Sequence, residues 1–384
     1  MKNKIFLLIV TMILIIIFPL VAFAQQRILI GISYDITGWN APSGRPEKDG
    51  ALLAVEDWNA KGIFGGKRVD YIFRDDESDP TKAANIAREF VSAGVCAVTG
   101  GCSSTGAIGT ASVTSPARIP FVHNAASTKA NILGPDGKVY SFSCVNYTPQ
   151  WPRATFSHML KKGYKKFALA YSKAAFGEAI AEEVRTAVAE EWGPKHGMEI
   201  VYDVGIDLKA PDISSEVIKI HKSKPSAVWC GLYAGNQAAF LRGLRVAGWS
   251  PPPPMYVIST WVHEVMQVHG GELLWGAVGW GGVDISRKDV QALNERFKKK
   301  YGYQNVGAML LGYESLNLVL QAIDKVGPDP LKIRDALETT EFHLLRGKPG
   351  AKARMVKENY YSSLKPEDHV FFRVNKKGEE IYEK

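Results

Sequence analysis

Along this chain, short runs of consecutive apolar residues alternate with stretches in which apolar positions recur every three or four residues. Runs of the first kind mark strands buried on both faces, and stretches of the second kind mark amphipathic helices. Their alternation predicts parallel α/β architecture. Residues 27–32 read as a buried strand and 35–46 as a Gly/Pro-rich loop. A helix over 47–60 carries Ala51, Leu52, Ala54, Val55 and Trp58 on one face and is closed by Gly62 and Gly65-Gly66. Strands follow at 67–73, 95–99, 119–122 and 139–144. Between them lie helices at 80–90, opened by Asp79 as N-cap and Pro80 in the first turn, and at 104–115. The pattern then restarts, with strands at 167–171, 199–204, 227–230 and 255–258 and helices near 149–162, 177–191, 212–223 and 236–247. Pro251 to Pro254 make a stiff connector. After the stretch 275–280 come helices at about 288–301 and 308–325, and a last strand at 370–374 completes the series. The expectation is an α/β chain of two doubly wound lobes, with ligands beyond the carboxyl ends of the strands.

The first residues stand outside this pattern. Lys2 and Lys4 precede an almost unbroken apolar stretch over 5–20, and Ala22-Phe23-Ala24 supplies the small residues of a signal-peptidase site. Residues 1–24 are therefore expected to be a signal peptide cleaved after Ala24, with a mature, exported chain from Gln25. The competing reading is an uncleaved anchor, which the length of the apolar run allows and which Pro19 and the Ala-x-Ala pattern oppose.

Without the leader, 360 of 384 residues remain, enough for two domains with cores of their own. The formal charge of +8 becomes +6 once Lys2 and Lys4 are gone, and the surplus is spread along the chain. Its densest cluster, Lys298-Lys299-Lys300, falls at a helix end, where cations suit the dipole. With no basic stripe interleaved with aromatics, no nucleic-acid partner is expected. Cys96, Cys102, Cys144 and Cys230 lack zinc spacing, so neither metal nor cofactor is expected. Export permits disulfides. Cys96 and Cys102 cannot pair without a turn between them, a Cys102–Cys144 bond is conceivable, and buried thiols are the alternative.

The loop Thr99-Gly100-Gly101-Cys102-Ser103-Ser104-Thr105-Gly106 joins a strand to a helix. Its glycines let the backbone approach a ligand, and hydroxyls and amides at a helix N-terminus favour an anion such as a carboxylate. A plain N-cap by Ser103 or Ser104 explains the same residues. A second loop, His123-Asn124-Ala125-Ala126-Ser127, belongs to the same lobe and can converge on the first. Aromatics sit at loops of both halves: Tyr34, Trp39, Tyr171, Phe176, Tyr233 and Trp261. Enzyme motifs are incomplete. Gly101-Cys102-Ser103-Ser104-Thr105 ends in Thr where a nucleophile elbow needs Gly, and only the distant His343 and His369 offer a partner for Ser103. His263-Glu264 fails the metalloprotease spacing because Gln267 stands at the second ligand position.

The run from Asp49 to Gly62 (Asp-Gly-Ala-Leu-Leu-Ala-Val-Glu-Asp-Trp-Asn-Ala-Lys-Gly), with Gly65-Gly66-Lys67 and Asp75-Asp76-Glu77-Ser78-Asp79-Pro80, resembles the periplasmic leucine/isoleucine/valine-binding protein family. These are the type I solute receptors of branched-chain amino-acid-type ABC importers. Gly100-Gly101-Cys102-Ser103-Ser104, Phe176-Gly177-Glu178, Ala247-Gly248 and Gly312-Tyr313-Glu314-Ser315 extend the resemblance over nearly the whole mature chain.

It implies the type I periplasmic binding fold, with two lobes joined by a three-crossover hinge. Lobe one would take 25–145 plus 284–360, and lobe two 146–283 plus 361–384. It also implies a monomer in the periplasm that closes on a small carboxylate-bearing ligand and meets the permease subunits of an ABC transporter. Ser103, Ser104, the Ala125 backbone and Ser127 would grip the carboxylate. Phe176, where the family often has Tyr, would close over it with Tyr233, beside Trp39 and Trp261. The family's acidic anchor for the ligand's ammonium falls on Thr260. The expected ligand is accordingly an aromatic or aliphatic carboxylate or an amide, rather than a branched-chain amino acid. A sensor of the same fold serving a receptor kinase, an exported hydrolase using Ser103, and an amino-acid receptor whose acidic anchor has moved, with Asp35 or Glu264 as substitute, are the competing readings.

Overall fold

The computed structural model describes residues 28–383 apart from 146–147, 209, 211, 360 and 363–364. The expected signal peptide lies outside the described residues. Two sheets organise the rest. The first has the order β2-β1-β3-β4-β5, all neighbours parallel, from β1 (Ile28–Tyr34), β2 (Val69–Asp75), β3 (Ala97–Gly100), β4 (Phe121–His123) and β5 (Ser141–Ser143). The helices of this part are α1 (Ala41–Lys61), α2 (Pro80–Ser92) and α3 (Ser104–Thr114).

The second sheet has the order β14-β13-β10-β9-β8-β6-β7. It contains β6 (Lys166–Ser172), β7 (Glu199–Ile206), β8 (Ala227–Gly231), β9 (Met255–Ile258), β10 (Ala277–Gly281), β13 (Val370–Val374) and β14 (Glu380–Tyr382). The β6–β10 strands run parallel, while β13 joins β10 antiparallel. Its helices are α4 (Trp151–Lys161), α5 (Ala175–Ala187), α6 (Ser214–Lys222), α7 (Ala234–Val246) and α8 (Ser259–His269). After β10 come α9 (Lys288–Tyr301), α10 (Val306–Val326), α11 (Pro330–Thr339) and the hairpin β11 (Phe342–His343) and β12 (Lys352–Ala353).

Apolar residues of α10, α11 and the hairpin pack with β1 and α1 around Ile30, Ile32, Ala54, Leu316 and Leu337, so these late elements complete the first lobe's core. The chain therefore passes between the sheets three times: from β5 to β6, after β10, and before β13. α2 and α3 cover the opposite face of the first sheet through Phe90, Ala107 and Phe121. The second sheet is likewise covered twice, by α6–α8 and by α4 with α5. Both lobes are doubly wound.

Two departures from the expected elements matter for the site. α1 begins at Ala41, inside the expected loop, although it contains Pro42 and Pro46. Pro42 stands in the first turn, where no amide needs a partner. A Cβ on Gly44 would lie 2.1 Å from Asp35 O, so only a glycine lets this turn pack on the end of β1. The extra turn brings Ser43 and Glu47 onto one helix face. α8 replaces what looked like loop after β9; it has no side-chain cap and is rich in valine. Val262 and Val265, packed into the second lobe's core, hold it in place of local propensity. None of the four cysteines is in a disulfide.

Candidate functional site

In each sheet, strand order reverses at one place, between β1 and β3 in the first and between β6 and β8 in the second. The chain leaves neighbouring strands there in opposite directions, which opens a crevice beyond their carboxyl ends. The two crevices face each other across a cleft that is partly open to solvent.

The first lobe contributes the polar side. Asn40, Ser43 and Glu47 come from the start of α1, Cys102 and Ser104 from the loop into α3, and Asn124 and Ala126 from the loop after β4. Gly100 ends β3 at φ +134°, and a Cβ there would fall 1.7 Å from Ser33 O. This glycine thus permits a crossing of the chain with itself, not the approach to a ligand that the loop suggested. Ser103 Oγ accepts from the Gly106 amide at 3.1 Å and caps α3. Buried and engaged in this way, it is no exposed nucleophile; His343 lies in the hairpin, and buried His369 packs against Trp280.

The second lobe contributes an aromatic wall. Phe176 meets Trp261 edge-on at 4.9 Å between ring centroids and lies 5.2 Å from Tyr233. Trp151 stands edge-on to Trp280 at 4.8 Å. Ser172 fixes Tyr233 by accepting from its backbone amide at 3.1 Å while donating to Asn236. The lobes also touch directly across the cleft: Trp39 packs edge-on to Tyr233 at 4.8 Å, and Ser43 Oγ donates to Glu264 Oε2 at 2.5 Å. The Tyr233 hydroxyl also lies against the Ser104 backbone amide.

Of the expected residues, Ser104, Phe176, Tyr233, Thr260 and Trp261 line the cleft, and Trp39 sits at its mouth. Ser103, Ala125 and Ser127 are not among the lining residues. Ser127 Oγ accepts from the Lys129 amide, and Ala125 O accepts from Ser143 Oγ. The lining also includes Glu47, Asn124, Trp151, Ser259, Trp280 and Arg346, which the sequence reading did not single out. A signal existed for two of them: Asn124 lies in the second loop, and Trp280 sits in an apolar run that the structure shows as a strand, Ala277–Gly281.

Acidic groups dominate the electrostatics. Glu47 Oε1 accepts from the Cys102 thiol at 2.9 Å and Oε2 from Asn124 Nδ2 at 2.6 Å. Burial pushes its carboxyl up from 4.5 to about 8 despite these bonds. Burial likewise raises Glu264 to about 7. Behind α1, burial and the neighbouring Asp76 raise Asp35, whose Oδ2 is held by Asn40 at 2.9 Å. Arg346, almost wholly buried, forks onto Glu314 and the Cys144 carbonyl; Glu314 also accepts from the Leu345 and Arg346 amides at 2.6 and 3.2 Å. Among the described residues no cluster of His, Cys, Asp and Glu has the makings of a metal site.

A family model described as periplasmic binding protein matches residues 27–361. The chain belongs to the periplasmic binding protein family. A Leu-, Ile-, Val-, Thr- and Ala-binding protein of Pseudomonas aeruginosa is 25% identical over 85% of this chain and 86% of its own length. An amino acid binding protein of the same organism is 25% identical over 92% of each. Among solved structures, the branched-chain amino acid transporter substrate-binding protein LivJ of Streptococcus pneumoniae, in complex with isoleucine, superposes with a TM-score of 0.77. It covers 93% of this chain and 100% of its own at 19% identity. An extracellular ligand-binding receptor of Rhodopseudomonas palustris HaA2 gives 0.77 at 22% identity, covering 94% and 100%. This periplasmic binding protein shares the two-lobed type I fold with them, and it is a binding protein rather than an enzyme.

Proposed function

We propose that this protein is the substrate-binding component of a branched-chain amino-acid-type ABC importer. It is exported by a signal peptide cleaved after Ala24 and works as a periplasmic monomer. Residues 25–145 plus 284–360 form one lobe and 146–283 plus 361–384 the other. They close by hinge motion on a small organic ligand, and permease subunits read the closed shape. The carrying observation is the cleft itself: both switch points face it, with a polar rim on one side and an aromatic wall on the other. Small-molecule sites pair apolar walls with a few fixed polar groups in this way. The ligand's carboxylate sits at the N-terminus of α3 by Ser104, with its tail between Phe176, Tyr233 and Trp261, next to Thr260. Amino acids, aromatic or aliphatic carboxylates and small amides all fit that description.

The test is a thermal-shift screen of the mature protein, unfolded and refolded to strip retained ligand. Its probes are amino acids, aromatic and aliphatic carboxylates and short amides. A true ligand at a hundredfold excess over its Kd stabilises the fold by about 2.7 kcal/mol, so a hit is plain. Absence of any shift across all three classes would sink the proposal.

A further inference from the structure

The resemblance places the anchor for a ligand's nitrogen at position 260, and Thr260 carries no charge. The cleft nevertheless contains an acid, supplied by a different element. We infer that Glu47 and Asn124 together read a nitrogen on the ligand, accepting N–H donors from an amine or amide held beside the N-terminus of α3. This rests on the cleft being the ligand site, as proposed above.

The geometry carries it in three steps. Glu47 lines the cleft although it is 2% exposed, and its two donors among the described residues, the Cys102 thiol and the Asn124 amide, are neutral. Among the described residues it forms no ion pair, and the nearby Arg346 is paired with Glu314. Second, an acceptor beside Glu47 is left open. Asn124 donates to Glu47, and its Oδ1, buried in the same cleft, has no hydrogen-bond partner among the described residues. Buried polar atoms in folded proteins are nearly always paired, so this oxygen next to the Glu47 carboxyl calls for an N–H donor from the ligand. Third, the facing wall has the opposite need. Trp280 Nε1, which can only donate, and Ser259 Oγ are buried there without partners among the described residues. A ligand with N–H donors on one side and an acceptor on the other satisfies both walls.

Asp35 and Glu264 lie close enough to disfavour charge on Glu47, and Tyr34 feels its field. A cationic ligand nitrogen would therefore ionise Glu47 on arrival, releasing a proton at neutral pH. A purely structural Glu47, tying the Cys102 and Asn124 loops together, would do neither.

Isothermal titration of the refolded full mature chain separates the cases. The probes are L-leucine and L-phenylalanine, their deaminated counterparts 4-methylpentanoate and 3-phenylpropanoate, and the two corresponding primary amides. In at least one series a nitrogen-bearing probe should bind at least about tenfold tighter than the nitrogen-free acid, a difference of about 1.4 kcal/mol. Glu47→Gln, which can still bridge both loops, should reduce that preference to less than about threefold. For the amines it should also abolish proton release, read in buffers of different ionisation enthalpy. If Glu47→Gln does not fold, Asn124→Ala should show the same selective loss. Nitrogen-free acids binding as tightly as their counterparts, or a preference that survives in the folded variants, overturns the inference while leaving the cleft as the site. Failure of every probe to bind overturns the site reading and the inference with it.

Discussion

Raising the pH from 7 to 8.5 should destabilise the ligand-free protein, because burial raises the carboxyls of Glu47, in the cleft, and Glu264, at the contact with Ser43, into the neutral range. Glu47 moves from 4.5 to about 8 and Glu264 from 4.5 to about 7. In both, the folded value lies above the unfolded one. Between the two values the folded chain holds a proton that the unfolded chain has lost, so stability falls as pH rises. Integrated from pH 7 to 8.5, the proton difference amounts to about 1.3 kcal/mol for Glu47 and about 0.4 kcal/mol for Glu264. Asp35, raised by burial, acts in the same direction. Buried His123 and His369, lowered from 6.5 to about 3, act oppositely, but only where the unfolded imidazoles take up protons, below about pH 6.5. The chosen window avoids them. Urea unfolding followed by tryptophan fluorescence at half-unit pH steps should show the wild type losing about 1.3 kcal/mol more than Glu47→Gln across this window. The variant also controls for thiols such as Cys96 and Cys230, which ionise in the unfolded chain near the top of the window. A wild-type profile that is flat or rising, or an unchanged slope in Glu47→Gln, would refute the reasoning.

Other consequences are open to direct measurement. Glu314→Ala leaves the Arg346 guanidinium and two backbone amides buried without their acceptor. Urea unfolding should register a loss of about 3–5 kcal/mol, most of it recovered when Arg346 is replaced by Met as well. Gly100→Ala must place a methyl group 1.7 Å from Ser33 O at φ +134°, whereas Gly65→Ala, at φ +78°, meets open space. The first should cost at least about 3 kcal/mol or prevent folding, and the second about 1–2 kcal/mol, compared by melting temperature and soluble yield. Trp261→Ala opens the aromatic wall beside Phe176 and should weaken a ligand returned by the screen at least about tenfold in titration calorimetry. Val246→Ser, on the exposed surface at 86% accessibility, should leave the affinity unchanged.

How far these features could be read from the chain follows from which forces set them. Short apolar runs announce the strands, whether buried on both faces like β9 or half-buried like β13: 255–258 and 370–374 are met to the residue. Asp79-Pro80 announces α2 because a capping side chain and a fixed φ are local properties, and Asp79 does accept from the Lys82 amide. The same signature at Asp329-Pro330 opens α11 and was there to be read. α8 was not legible in this way, since valine-rich helices without caps are held by packing alone.

The candidate site divides along the same line. Phe176, Tyr233 and Trp261 follow strand ends and were found by position, since a doubly wound sheet sends its ligand there. Glu47 was not, because its place depends on where α1 begins. That in turn depends on Gly44 clearing the Asp35 carbonyl, a contact between two segments that no local pattern encodes. Had α1 started at residue 47, this carboxyl would stand in the first turn, where a helix N-terminus and water ordinarily welcome a negative charge. Six residues further into the helix it is buried instead, between Cys102 and Asn124. Six added residues of helix thus convert an ordinary surface acid into a group that must find either a proton or a ligand's nitrogen.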